Sequence, residues 1–296
     1  GRKYLPVEDF DKWGGGPGQT NYATAKNPSM KAYAKKYPHS SRSYGAFGRD
    51  FVKESAKVGK PFCLSISFKA PHKPDQPDPL FDKVYAGRKF TKPINYGREY
   101  GKHFSLQSKQ GRQYERFVSW GYRDKYDEVM AIYHQMVHGV DAAVGMIRAA
   151  VKEAGVEKNT VFIFTSDNGG LATSEGSPTS NLPLRGGKGW LYEGGIREPF
   201  LIRAPGVSKS GNVCDTPVIS TDFYPTILDL AGIGLKSEQH LDGKSLVPLL
   251  SGDKTVARDA LFWHYPHYSN QGGIPGGAIR IGDYKLIERF ENGQSH

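Results

Sequence analysis

Apolar positions recur every three or four residues over 124–154. Val129, Tyr133, Val137, Val140, Val144, Ile147 and Val151 form one stripe, which predicts the longest helix, stopped by Gly155. A second helical pattern covers 45–58, with Phe47, Phe51, Val52 and Ala56 on one side. Two short apolar runs, 61–68 and 160–165, predict strands, and the first ends sharply at Pro71 and Pro74, which cannot continue a central strand. The alternation from 61 to 165 implies a βαβ unit with a right-handed crossover. A further strand is expected at 199–203 and a weaker one at 213–219. Thr221 or Asp222 caps a short helix over 223–231 that ends at Gly232, and 245–250 makes another turn or two before Gly252. From 255 onward the pattern is β again. It predicts a strand at 261–265, then 278–281 and 284–287 joined by Gly282 and Asp283 as a two-residue hairpin.

These elements predict an α/β fold: a sandwich with a mostly parallel mixed central sheet flanked by helices, followed by the start of a small antiparallel sheet. The expected domains are a core at 1–254, lacking its N-terminal part, and a truncated antiparallel subdomain at 255–296. The strand at 160–165 carries no charge and is expected at the sheet centre. Residues 75–122 show no sustained period. Their aromatic residues (Phe81, Tyr85, Phe90, Tyr96, Tyr100, Phe104, Tyr114, Phe117, Trp120, Tyr122) argue for an ordered insertion over the site rather than for disorder.

With 296 residues the chain can bury a large core. No run approaches the 18 apolar residues or so of a membrane span. No signal peptide is visible, which carries little information in a chain that starts at Gly1 rather than Met. Forty Lys and Arg against thirty Asp and Glu give a net charge of +10. That balance favours polyanionic partners, although the basic residues are dispersed, as on an ordinary solvated surface. Two cysteines, Cys63 and Cys214, define neither a disulfide framework nor a zinc site, and Cys63 reads as a core residue.

Candidate chemistry begins at the end of the 160–165 strand, where Ser166-Asp167-Asn168-Gly169-Gly170 places a carboxylate beside a carboxamide. Two adjacent hard oxygen donors suit Ca²⁺ or Mg²⁺, and strand ends are where ligands collect in α/β sheets. The same composition also makes a plain turn. About twenty residues later, the glycines flanking Lys188 let backbone approach a small oxyanion while the ammonium neutralises it. Neither Ser nor Thr follows this lysine, so the segment is not a nucleotide-binding P-loop. His72, on a proline-flanked loop after a predicted strand, is placed to pass a proton near neutral pH, or is simply an exposed loop histidine. Glu193 and Arg197 are expected to form a structural ion pair. His264, His267 and Arg280 are weaker candidates for lining a substrate site.

The segments SFKAPHKP, FTSDNGG, GGKGWLYEGGIREP, STDFYPTILDLAG and AIRIGDYKLI, in this order, resemble the type I sulfatases of the alkaline phosphatase superfamily over about residues 45–290. The resemblance implies that Asp167 and Asn168 are ligands of one Ca²⁺, Lys188 bridges sulfate oxygens, and His72 contacts sulfate and protonates the leaving alcohol. It implies hydrolysis of a sulfate ester on a small molecule or oligosaccharide, a secreted or periplasmic location, and neither nucleic-acid partner nor membrane span. The family's nucleophile is a formylglycine made from Cys-x-Pro-x-Arg or Ser-x-Pro-x-Arg, and this sequence contains neither motif. The family's N-terminal paired aspartates are missing too, so the chain is expected to be a C-terminal portion that does not turn over alone. A phosphodiesterase or phosphonate hydrolase of the same superfamily, and a non-catalytic relative that binds anionic glycan, are the alternatives.

Overall fold

The computed structural model describes residues 5–97, 99, 115–172, 179–291 and 294–295. Tyr100, Phe104 and Tyr114 of the predicted insertion lie outside them. In chain order the elements are α1 (Ser40–Val58), α2 (Arg116–Ser119), α3 (Tyr126–Glu153), β1 (Phe162–Thr165), α4 (Glu193–Ile196), β2 (Phe200–Arg203), α5 (Phe223–Leu230), α6 (Val247–Ser251), β3 (Leu261–Tyr265), β4 (Gly276–Ile281), β5 (Tyr284–Arg289) and β6 (Gln294–Ser295). The chain divides into two compact units, one of residues 1–91 with 121–159, the other of 92–120 with 160–296.

The first unit is built on α1 packed against α3. The predicted stripe is in part the packed face, with Val129 and Val151 buried and the Ile147 side chain against Gly48 of α1, but small residues share it. Gly45, Ala46 and Gly48 of α1 are buried, as are Gly139, Ala143 and Ala150 of α3, while Val137 is 43% exposed. Small residues win here because the two backbones come close. A Cβ on Gly45 would sit 2.8 Å from the Ala143 Cα. His39 caps α1. Its Nδ1 accepts from the Ser41 N–H at 3.2 Å, so its Nε2 carries the proton and donates to the Gln76 carbonyl at 2.7 Å. His134 and His138 of α3 are covered by aromatic rings. Phe90 and Tyr85 lie against His134 at 4.9 and 5.5 Å, and Phe81 meets His138 edge-on at 4.7 Å.

The predicted strand at 61–68 is extended but joins no ladder among the described residues. Its burial alternates: Phe62, Leu64, Ile66 and Phe68 are half-buried, while Cys63, Ser65 and Ser67 are exposed. Phe62 meets Phe51 edge-on at 5.9 Å, so one face packs on α1. Cys63 points the other way and is exposed, not a core residue as its apolar neighbours suggested.

In the second unit β1 pairs antiparallel with β2, Phe162 opposite Arg203 and Thr165 opposite Phe200. Among its described residues the connection between them holds only the four-residue α4, whereas a parallel pairing needs a crossover of a dozen residues or so, usually helical. Among the described residues every ladder is antiparallel, so the expected mostly parallel sheet is not formed by them, and β1 pairs on one side only. The segment 213–219 is not a strand. The predicted C-terminal hairpin is present: β4 and β5 join through Gly282 and Asp283 in a four-stranded sheet of order β3-β4-β5-β6. Asp222, expected as a helix cap, is fully buried and serves a wider role. Its carboxylate accepts from the Ile219 and Lys244 amides at 2.9 Å each and pairs with Arg258.

Candidate active site

Three glycine-rich segments of the second unit converge behind the end of β1. The Gly170 carbonyl accepts from the Lys188 amide at 3.0 Å, and the Gly169 amide donates to the Gly195 carbonyl at 3.3 Å. The side-chain amide of Asn181 reaches the carbonyls of Gly170, Gly186 and Gly194, each at 3.1 Å. No side chain fits between these backbones. A Cβ on Gly169 would lie 2.1 Å from the Gly194 oxygen, and one on Gly187 would lie 2.5 Å from the Gly170 oxygen. The turn bearing Asp167 and Asn168 and the loop bearing Lys188 are thus one backbone-bonded body.

Asp167 is exposed at the strand tip, and Asn168 is half-buried. The Ser166 hydroxyl donates to the Asn168 carbonyl at 3.0 Å, which closes the turn. Continuing the β1–β2 register by two residues sets Glu198 across from Asp167. Burial raises the Glu198 pKa above the ordinary carboxylate range, the Asp167 charge raises it further, and a hydrogen bond with Ser166 opposes the rise. Its Oε1 is buried without a partner. Asp167, Asn168 and the unpaired Glu198 oxygen are all hard donors, a set that fits Ca²⁺. Among the described residues no three His, Cys, Asp or Glu gather to hold a metal, so further ligands would come from water, substrate or another segment. Glu198 lies within the GGKGWLYEGGIREP segment, but no chemical role was read for it there. The signal was its position two residues before a strand that pairs with β1.

Glu193 does not pair with Arg197, which is exposed and contacts it only through an amide donating to the Glu193 carbonyl at 2.8 Å. Instead the Glu193 carboxylate accepts from Lys285 at 3.1 Å and Arg280 at 3.4 Å. The antiparallel hairpin brings two cations to it from almost a hundred residues away, which the local spacing could not foretell. Lys285 also donates to the Leu191 carbonyl. Burial lowers the Lys285 pKa, and Glu193 offsets part of that drop. Arg280 is therefore engaged in holding the Lys188 loop against the C-terminal sheet. His264 is exposed and lies on the face of β3 opposite Tyr265, its ring 5.5 Å from that of Phe290. His267 meets Tyr265 edge-on at 5.5 Å.

His72 belongs to the first unit, on an exposed turn. Its Nδ1 donates to the Lys73 carbonyl at 2.7 Å, and its own carbonyl accepts from the Tyr22 hydroxyl at 2.5 Å. Lys73 turns inward to Asp75, whose pKa burial raises and Lys73 partly restores. The turn is thus tied to the core, with the Nε2 of His72 left for a proton exchange.

A family model described as Sulfatase matches residues 3–233, and one described as N-sulphoglucosamine sulphohydrolase, C-terminal, matches residues 187–296. A sulfatase of Formosa agariphila is 32% identical over 260 residues, covering 82% of this chain and 40% of the relative. Among solved structures, Ps i-CgsB in complex with k-i-k-neocarrahexaose superposes with a TM-score of 0.65 at 23% identity, over 94% of this chain and 57% of that one. BT4656 in complex with its substrate D-glucosamine-2-N,6-O-disulfate gives a TM-score of 0.65 at 22% identity, over 85% and 62% of the two chains. These likenesses assign the α/β fold of those enzymes. The chain spans less than half the length of the curated relatives it matches.

Proposed function

The chain belongs to the sulfatase family, and from that premise we propose that it carries the calcium ligands, sulfate-binding lysine and proton donor of a sulfuric ester hydrolase acting on sulfated carbohydrate. One observation supports the proposal: the backbone of Gly169 and Gly170 is bonded to the 187–195 loop, which ties the turn that bears Asp167 and Asn168 to the loop that bears Lys188. A cation site and an ammonium held together suit the anionic sulfuryl group of a sulfate ester better than either does alone.

Asp167 and Asn168 would hold Ca²⁺ by their side-chain oxygens. The ion, when bound, withdraws charge from the sulfate oxygens. Lys188 neutralises a further oxygen, and its flanking glycines leave room for the group to approach. His72 gives the Nε2 proton to the departing alcohol, its other nitrogen being held by the Lys73 carbonyl. The nucleophile, a formylglycine by resemblance, has no source motif in this sequence, so turnover is a property of the intact protein. The mostly parallel sheet expected for the fold would likewise be completed by strands beyond those described, with the 255–296 region as an appended antiparallel subdomain. Export from the cytoplasm is part of the same proposal. Among the described residues no helix is long and apolar enough to cross a membrane.

The test is sulfate release from 4-nitrophenyl sulfate and from sulfated oligosaccharides by the intact protein, with calcium content measured in parallel. Asp167→Ala should lose both calcium and activity, and Lys188→Ala should lose activity with calcium retained. Full turnover after chelation, or equal turnover of a phosphonate monoester, would overturn the reading.

A further inference from the structure

His72 sits on an exposed turn between Pro71 and Pro74, held by three hydrogen bonds. Two of them are local. Its amide donates to the Lys69 carbonyl at 2.9 Å, and its Nδ1 donates to the Lys73 carbonyl at 2.7 Å. Such bonds stiffen a turn but do not place it on the protein. The third comes from 50 residues away: the Tyr22 hydroxyl donates to the His72 carbonyl at 2.5 Å. Tyr22 is 2% exposed and packs with Ala70 and Met136, with Ile132 and Val140 of α3 beside them. Its ring is stacked on that of His39, 13° from parallel with centroids 5.2 Å apart, and the Lys69 ammonium lies 4.5 Å from its centroid. His39 in turn donates to the Gln76 carbonyl, so two stacked rings hold two carbonyls of one segment. Burial, and after it the charge of Asp75, raises the Tyr22 pKa, so the hydroxyl keeps the proton it donates. Asp75 secures the residue that follows His72. Its side chain is 9% exposed, one carboxylate oxygen pairs with the Lys73 ammonium, and the other is buried without a partner. The same ammonium lies 4.9 Å from the centroid of the Tyr122 ring.

A general acid works only within hydrogen-bond reach of the oxygen it protonates, and small displacements are costly. We propose that Tyr22 is a positioning residue for the proton transfer from His72. Its hydroxyl fixes the turn so that Nε2 faces the departing oxygen, and Asp75, through Lys73, keeps the acceptor of Nδ1 in place. Both act through His72 rather than on the substrate. Tyr22 lies outside the segments that carry the family resemblance, and only the fold brings it to the turn. The inference rests on the preceding reading of His72 as the proton donor and names what sets that donor's aim.

The experiment uses the intact protein, an alkyl sulfate and 4-nitrophenyl sulfate, with kcat and KM measured for each. Tyr22→Phe keeps the ring and removes only the hydroxyl. It should slow the alkyl sulfate about tenfold in kcat, the worth of roughly one hydrogen bond. Turnover of 4-nitrophenyl sulfate, whose leaving group departs without a proton, should stay within about twofold. Asp75→Asn should give the same selective loss, and because it lies at the turn rather than in the core it answers the question if the Tyr22 variant does not fold. Tyr44→Phe is the control: it removes another buried hydroxyl of the first unit, bonded to Thr20 at 3.2 Å, and should leave both substrates unchanged. The decisive comparison combines each change with His72→Gln. In that background neither should slow the alkyl sulfate further, because the group being positioned is gone. Losses that multiply, or that fall equally on both substrates, would reduce Tyr22 and Asp75 to packing and overturn the inference while His72 stays as proton donor. A His72→Gln variant that slows both substrates equally overturns the donor reading and the inference together.

Discussion

At the scale of single residues the site depends on what is absent from a side chain as much as on what is present. Gly169→Ala would drive a methyl group to 2.1 Å from the Gly194 oxygen, so the turn or the loop must move by more than half an ångström. A misplacement near 1 Å costs catalysis about a hundredfold. We expect that loss in sulfate release, with calcium affinity reduced and far-ultraviolet circular dichroism unchanged. Parental kinetics in this variant would mean that the two glycine segments do not hold Asp167 and Lys188 together. His72 invites a different measurement. With Nδ1 engaged by the Lys73 carbonyl, only Nε2 can serve a leaving group. His72→Gln should therefore slow alkyl sulfates, whose alkoxides need a proton, by about 10²–10⁴-fold, and 4-nitrophenyl sulfate much less. A uniform loss across leaving groups would reassign His72 to binding.

At the scale of elements, what could be read from the chain followed distance along it. The long helix, the β1 strand and the 282–283 hairpin came from periodicity and turn chemistry, which are local, and the structure has each of them. Asp167, Asn168 and Lys188 could be singled out as candidates because each sits in a glycine-rich segment with a chemical reason for its composition. The partners that arrive from afar were not visible: Glu193 with Lys285 and Arg280, Asp222 with Arg258, and Glu198 across from Asp167. The small residues of the α1–α3 face, Gly45 and Ala143 above all, gave no periodic signal, because side-chain size as well as hydrophobicity governs a close helix crossing. Two stability predictions belong here. Asp222 is 0% exposed and links two backbone amides to Arg258 ahead of α5. Asp222→Ala strands a buried guanidinium and should cost about 3–5 kcal/mol in chemical denaturation. A change near zero would show that water replaces the carboxylate. His39 caps α1, and burial lowers its pKa below the ordinary value while its bond to the Gln76 carbonyl only partly compensates. The unfolded chain then binds the proton more readily. The stabilisation is fully present above the ordinary histidine pKa and is lost as pH falls through the lower folded value. Melting temperature should drop over that acidic window, and His39→Gln should flatten the drop. An equally steep drop in the variant would move the acid sensitivity to other groups.

At the scale of the whole molecule the net charge of +10 acts on encounter rather than on fold. The basic residues are dispersed along the sequence, and many are already paired, as Arg42 is with Asp78, Lys53 with Glu153 and Arg280 with Glu193. What an approaching polyanion meets at a distance is therefore the summed field, and what it meets at contact is a few cations such as Arg185 and Arg289, which have no acid partner among the described residues. These two contributions separate under salt. The Debye length shrinks from about 10 Å at 0.1 M to about 3 Å at 1 M, which removes the long-range field before it weakens partly buried contacts. For a sulfated polysaccharide, kcat/KM should fall steeply with added sodium chloride, because many charges of the chain sense the field at once. For 4-nitrophenyl sulfate, one charge on a small molecule, the fall should be shallow. The Arg289→Ala variant should keep the parental salt slope on the polysaccharide while starting from a lower value, since removing one cation of forty changes contact more than field. Parallel slopes for the two substrates would mean that the positive balance plays no part in gathering substrate. A slope that collapses in Arg289→Ala would instead place the electrostatic attraction at Arg289 itself.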